Sequence, residues 1–353
     1  MSSEKDKVPL SELMTAVFAG LISPAIRLLP RTAAETAGRG AWLSPLLALL
    51  PVTLFSLFLW AFAVKKHGDG EGLCALFERC IGKIPGRALS LVFLLWLIFY
   101  IGFAARVSAE RLLSAVYGNG SAAFFMAVLL LCAAVVASGK LESLTRTAGV
   151  YALLLTATVV LVLLAALPDV SIENLWPVLP RDFSSAALGS IPYINILSAA
   201  GYYMFLLGRV KPKTQSFSAL LRRQWMLLAL FWGVTVVTVG ALSPGVTAHL
   251  QNAFFIMTRN ITLFGVVERI ESVVVAVWTL SDILYFAGLL FVCRVILADT
   301  GILRAGAGAC ALCGGGALIV GLCVLPAAFT LHDLSERTVP AVHLTLMVIV
   351  LPL

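Results

Sequence analysis

Ten runs of predominantly apolar residues follow one another along the chain, at roughly 10–30, 41–64, 88–116, 121–138, 147–167, 187–208, 224–246, 265–293, 306–328 and 338–353. About 20 such residues let a helix cross the hydrocarbon layer of a bilayer. There, every backbone N–H and C=O must find its partner inside the protein, so these runs are confined to a helical bundle. Composition agrees. The 353 residues are 60% hydrophobic and 12% charged, with a mean hydropathy of +1.00. Soluble domains carry about 25% charged residues. A soluble globule with half that charge would expose too much apolar surface to stay dispersed. Soluble enzyme, disordered chain and collagen-like fibre are thereby excluded. The longest loops, roughly 65–87 and 168–186, can hold short interfacial helices, as Leu73-Cys74-Ala75-Leu76-Phe77 suggests, but no folded globule. The first run follows Lys5 and Lys7 as a signal peptide would. It lacks a clean cleavage site and is interrupted by Ser23 and Arg27, so it reads as a retained helix.

The loops orient the chain. The N-terminal segment and every second loop after it carry 16 of the 25 Lys and Arg residues. The alternate loops carry five: Arg31, Arg39, Arg181, Arg259 and Arg337. The remaining four, Arg27, Arg106, Arg111 and Arg269, fall within spans. This asymmetry places the N-terminus in the cytoplasm and supports an even number of spans. The net charge of +7 is then orienting charge beside anionic membrane lipid, not a nucleic-acid surface.

Five of the seven cysteines, Cys132, Cys293, Cys310, Cys313 and Cys323, lie in apolar runs, and Cys74 and Cys80 lie in a basic loop. Cys310 and Cys313 form a CxxC, read here as small packing residues of a membrane helix. No disulfide framework, metal site or cofactor is expected.

Two spans are not smooth. Span 1 reads Gly20-Leu21-Ile22-Ser23-Pro24-Ala25-Ile26-Arg27, and Pro24 removes a backbone donor near its middle. Span 6 holds Ile191-Pro192-Tyr193 and then Ser198-Ala199-Ala200-Gly201-Tyr202-Tyr203. Breaks in the first and sixth of ten helices suggest two five-helix halves, about 10–167 and 187–353, in an inverted-repeat transporter fold. Broken helices leave backbone groups free at the midplane, where they can bind a small ligand.

Several motifs now carry a resemblance. The most specific is Val267-Glu268-Arg269-Ile270-Glu271 with Trp278 seven residues on. Leu29-Pro30-Arg31, Gly40-Ala41-Trp42-Leu43, Ile81-Gly82-Lys83-Ile84-Pro85-Gly86 and Asn174-Leu175-Trp176-Pro177-Val178 support it in order. The chain resembles the spore germination permeases, B subunits of endospore germinant receptors in the amino acid–polyamine–organocation superfamily. The resemblance implies a leucine-transporter-type fold of ten helices in a single domain, 1–353, in the inner membrane of the spore. It implies a pocket for a nutrient, usually an amino acid, and two partners: a larger membrane subunit and a lipoprotein subunit. Ser23-Pro24-Ala25 replaces the usual glycine-rich break of span 1, and Tyr202 follows Gly201 where many relatives have Glu. The pocket is expected to be more aromatic than is usual in the family.

Ionisable groups at membrane depth cost at least about 2.5 kcal/mol each, so each needs a reason. Arg106 and Glu110 share a face of span 3 as an ion pair, with an outer gate as the alternative, and Arg111 follows. Glu268, Arg269 and Glu271 open span 8, as a cap and ion-pair network or as a partner contact. Asp282 lies mid-span. It is expected to pair with Arg27, take up a proton, help hold a cation or face a water-filled cavity.

The expected ligand pocket consists of Ser23, Pro24, Ala25 and Ile26 from span 1, Trp96 and Tyr100 from span 3, Ala199, Ala200, Gly201 and Tyr202 from span 6, and Ser281 and Tyr285 from span 8. Free N–H groups after the span 1 break would hold a carboxylate. The expected function is a nutrient-sensing, permease-like receptor subunit. A stand-alone amino acid transporter and a scaffold subunit with a vestigial pocket are the alternatives. Neither HExxH nor GxSxG occurs, and His67, His249, His332 and His343 are scattered, so no enzyme is expected.

Overall fold

A computed structural model describes residues 7–66, 72–115, 120–211, 217–260, 270–324 and 338–351. Within these residues the apolar runs are helical. In chain order the helices are α1 (Leu10–Ala37), α2 (Ser44–Lys66), α3 (Leu73–Ile81), α4 (Lys83–Ala115), α5 (Ala122–Ser138), α6 (Leu141–Ala166) and α7 (Pro180–Gly189). There follow α8 (Ile191–Ser198), α9 (Phe217–Leu242), α10 (Pro244–His249), α11 (Ala253–Asn260), α12 (Ile270–Asp299), α13 (Ala307–Ile319) and α14 (Val339–Leu344). Among the described residues, 6 helical stretches are long and apolar enough to cross a membrane, the first of them joining α1 and α2. The apolar helices Ala122–Ser138 and Ala307–Cys323 are shorter. Short helices do occur at the two longest loops: α3 lies in the first, and α7 begins in the second.

The burial pattern orders the bundle. From Leu284 to Leu297 of α12 every residue but Arg294 is buried. A helix that is apolar all round belongs at the centre, and α12 packs there against α1, α4, α5 and α6. At the periphery, Leu153 of α6 is 75% exposed and Leu131 of α5 is 67% exposed. Such an apolar outer belt is stable only in lipid.

Span 1 departs from expectation. α1 runs unbroken from Leu10 to Ala37 with Pro24 and Pro30 inside it, so it offers no unwound backbone for a carboxylate. A proline fits helical φ but removes the hydrogen bond to the carbonyl four residues before it, here Gly20, and its ring crowds that carbonyl. At the neighbouring residue, Ser281 Oγ of α12 donates to the Ala19 carbonyl at 2.7 Å and ties α1 to α12.

Span 6 does change character. The α-helix α8 ends at Ser198, and a 3₁₀ helix of 11 residues continues from Ala199 to Arg209. Runs of 3₁₀ helix beyond about four residues are uncommon and often mark a hinge. With three residues per turn, Ala199, Tyr202 and Phe205 form one row, which meets Trp96 and Phe93 of α4. The far end of this segment is tied to the chain's beginning. Val8 N donates to the Arg209 carbonyl at 3.0 Å, and Lys211 N to the Val8 carbonyl at 2.9 Å.

Candidate functional site

The centre of the bundle holds a buried polar cluster built from three helices. Asp282 of α12, Arg111 of α4 and Ser23 of α1 are 3%, 5% and 1% exposed. Arg111 Nη2 pairs with Asp282 Oδ2. Arg111 Nη1 donates to Ser23 Oγ at 3.0 Å, and Ser23 Oγ donates to Asp282 Oδ1 at 2.6 Å. The Arg111 guanidinium also lies over the Trp278 ring, 5.6 Å from its centroid. Phe254 and Phe255 of α11 back that ring at 5.7 and 6.0 Å. Each charge thus has an opposite charge and further donors or acceptors, which a buried ion pair requires.

This corrects the expected pairing of Asp282 with Arg27. Its partner is Arg111, and both carboxylate oxygens are engaged. The positive charge that a bound cation would bring to Asp282 comes from that guanidinium. Arg27 lies one turn beyond Ser23 on α1; it feels the Asp282 carboxylate electrostatically but makes no hydrogen bond or close ion pair among the described residues. Arg106 Nε donates to Glu110 Oε1 at 2.9 Å, both partly exposed. Glu268 and Arg269 lie outside the described residues, as does the side chain of Glu271.

Next to the polar cluster stands an aromatic one. Tyr285 OH donates to Tyr100 OH at 3.0 Å. Trp96 Nε1 donates to Tyr202 OH at 2.5 Å, and that hydroxyl lies 2.8 Å from His343 Nδ1. His343 Nε2 lies 2.9 Å from Ser198 Oγ, at the junction between α8 and the 3₁₀ helix. The Tyr202 and His343 rings meet edge to face at 5.1 Å. The result is a continuous polar chain from α4 through span 6 to α14, enclosed by rings.

Six of the expected pocket residues therefore come together, Ser23, Trp96, Tyr100, Tyr202, Ser281 and Tyr285, joined by Asp282 from the expected ion pairs. Others do not. Ala25 and Ile26 are fully buried in apolar packing, Pro24 is half-buried on the continuous helix, and Ala199 sits in the 3₁₀ row. Ala200 lines a separate cavity between α1, α2, α9 and span 6. Gly201 faces the π-helical segment Thr345–Val350 that continues α14: a Cβ there would meet Met347 Sδ at 2.5 Å, and Leu351 Cδ2 just beyond at 3.1 Å. The absence of a side chain there allows close packing. Sequence reasoning missed Arg111 as the partner of Asp282, and His343. For Arg111 the signal was its own insertion cost. For His343 it was a lone imidazole in an apolar run.

The comparisons with known proteins fit this geometry. The family model described as spore germination protein matches residues 7–305, most of the chain. The chain belongs to the spore germination protein family. Among curated relatives is YfkT of Bacillus subtilis (strain 168), whose name assigns it provisionally to spore germination. It is 23% identical over 279 residues, which are 73% of this chain and 70% of the relative. Among solved structures, a Na+-coupled sialic acid symporter in a substrate-bound, outward-open state superposes with a TM-score of 0.66 at 14% identity. The match covers 94% of this chain and 76% of the symporter, so this spore germination protein shares the symporter's transporter fold. It is an integral membrane protein, and its polar and aromatic clusters lie where α1, α4, α12 and span 6 of that fold meet.

Proposed function

We propose that this chain is the nutrient-sensing, permease-like subunit of a spore germinant receptor. The observation that carries the reading is the buried Ser23–Asp282–Arg111 cluster beside the helix-type change in span 6. It sets a buried ion pair on α1, α4 and α12 of a fold that is shared with a transporter and that changes helix type in span 6. The ligand is a small nutrient, an amino acid by its chemistry. Its carboxylate goes to Arg27, whose guanidinium makes no hydrogen bond among the described residues, and its ammonium to the faces of Tyr100 and Tyr285. Binding favours one conformer of α1 and span 6, and that shift passes to a larger membrane subunit and a lipoprotein subunit. The two halves, about 10–167 and 187–353, form the inverted repeat, with the N-terminus on the cytoplasmic side of the spore's inner membrane. No catalytic role is assigned to any residue.

The test is germination of spores carrying Arg27→Gln, measured against amino acid concentration with the protein's abundance monitored. Losing a charge-assisted hydrogen bond should raise the half-effective concentration about tenfold or more. An unchanged curve at normal abundance removes Arg27 from the ligand site. Uptake of labelled amino acid by proteoliposomes holding this chain alone would favour the transporter reading, which the symporter's fold also suits.

A further inference from the structure

At the end of the bundle where α1 finishes, a groove of about 250 Å³ lies between three elements. Trp42 comes from the 3₁₀ helix Gly38–Leu43, which joins α1 to α2. Ile172, Leu175 and Trp176 come from the loop after α6, and Trp232 and Val236 from α9. Trp42 and Trp176 belong to Gly40-Ala41-Trp42-Leu43 and Asn174-Leu175-Trp176-Pro177-Val178, two motifs of the family resemblance that take no part in the polar cluster. The groove is built into the fold, because one carbonyl of α9 pins the loop. Ser171 N donates to the Gly240 carbonyl at 3.1 Å, and Asn174 Nδ2 donates to the same oxygen at 2.7 Å. A Cβ on Gly240 would stand 2.6 Å from Val170 Cγ1, so the glycine lets the loop lie this close.

Two observations say what fills the groove. It is continuous with the lipid-facing side of α9. Trp225, Ala229, Trp232 and Val236 recur every three or four residues and form one stripe, exposed or half-buried along its length. The second observation is charge. No lining residue is charged, but Arg39 is exposed and lies three residues before Trp42, which puts both on one side of their 3₁₀ helix. An apolar slot open to the bilayer, with a cation one turn away, matches a molecule with a hydrocarbon tail and an anionic head. Tryptophan rings are also favoured at the membrane–water boundary, where tail and head meet. We propose that this groove holds one acyl chain of a bilayer glycerophospholipid, with the lipid's phosphate at Arg39. The volume suits part of a larger molecule, since sites for whole small ligands run to roughly 300–1,000 Å³. The bound lipid ties the start of α2 to the loop that leads into α7. This site is independent of the nutrient site proposed above.

The test uses the full chain in phosphatidylcholine nanodiscs with one of two minor components: phosphatidylglycerol or diacylglycerol, each bearing the same diazirine-labelled acyl chain. Mass spectrometry maps the label. It should concentrate on residues 170–178 and on α9 around Trp232, above its density on the lipid-facing side of α6. The phospholipid probe should label the groove about fivefold more than diacylglycerol does, and Arg39→Gln should erase that difference. Trp176→Ala should lower labelling by both probes about fivefold or more. Trp176 is 60% exposed and Arg39 is exposed, so neither change removes a core contact. Label no denser in the groove than on α6, labelling indifferent to Trp176→Ala, or equal labelling by the two probes overturns the proposal. A second copy of the chain covering the groove would leave it unlabelled and would cross-link through a cysteine placed at Ile172, which also overturns it.

Discussion

Gly20 of α1 lies against Tyr285 of α12 so closely that a Cβ on Gly20 would stand 3.0 Å from the Tyr285 Cα. The neighbour is backbone, which cannot swing aside as a side-chain tip can. This contact sets the spacing at which Ser281 reaches the Ala19 carbonyl and Ser23 reaches Asp282.

Enlarging Gly20 should therefore separate α1 from α12. Gly20→Val is expected to destabilise the protein by about 1–3 kcal/mol, as overpacking a tight interface does. Thermal unfolding in detergent measures it. A melting temperature equal to wild type would mean that the two helices are not held at this spacing.

The Arg111–Asp282 pair makes a second prediction. Asp282→Leu or Arg111→Met alone leaves a buried charge uncompensated and should cost about 3–5 kcal/mol. The double variant Arg111→Met, Asp282→Leu should recover most of that loss. Denaturant unfolding of the three variants forms a cycle, and additive losses would contradict the pairing.

Orientation is testable through two cysteines on α3. Cys80 is exposed, whereas Cys74 is buried and burial pushes its thiol up to about 12. The thiolate is the nucleophile, so at pH 8 only about one Cys74 in 10,000 is reactive, rising tenfold per pH unit toward 12. Variants retaining a single cysteine should behave oppositely toward a membrane-impermeant maleimide at pH 8. Cys80 should label in inside-out vesicles and Cys74 should not. Labelling of Cys80 from the other side would reverse the orientation inferred from the loop charges.

The spans were legible in the sequence because a membrane helix is specified by the length of an apolar run, which tertiary context does little to change. The small helix α3 was legible from Leu73 to Phe77 for a similar local reason. The cost of Asp282 was legible too, but its partner was not. Arg111 lies 171 positions away, and only the crossing of α4 over α12 brings the two together. Pro24 marked a local loss of one hydrogen bond, and sequence could not say whether neighbours would let the helix continue. The contacts of His343 were not legible because they depend on how α14 rotates against span 6, and no local pattern encodes that rotation.

The 3₁₀ segment of span 6 is also a store of length. A 3₁₀ helix rises about 2.0 Å per residue and an α-helix about 1.5 Å, so rewinding Ala199–Arg209 would shorten it by about 5 Å and turn one end by more than half a revolution. Because Arg209 and Lys211 hold Val8 between them, that retraction would be felt first as a pull on the chain's own leading edge. Spin labels at Ile191 and Lys211 measure the distance directly. A nutrient-dependent shortening of that order would make span 6 a winch, and a constant separation would make it a fixed post.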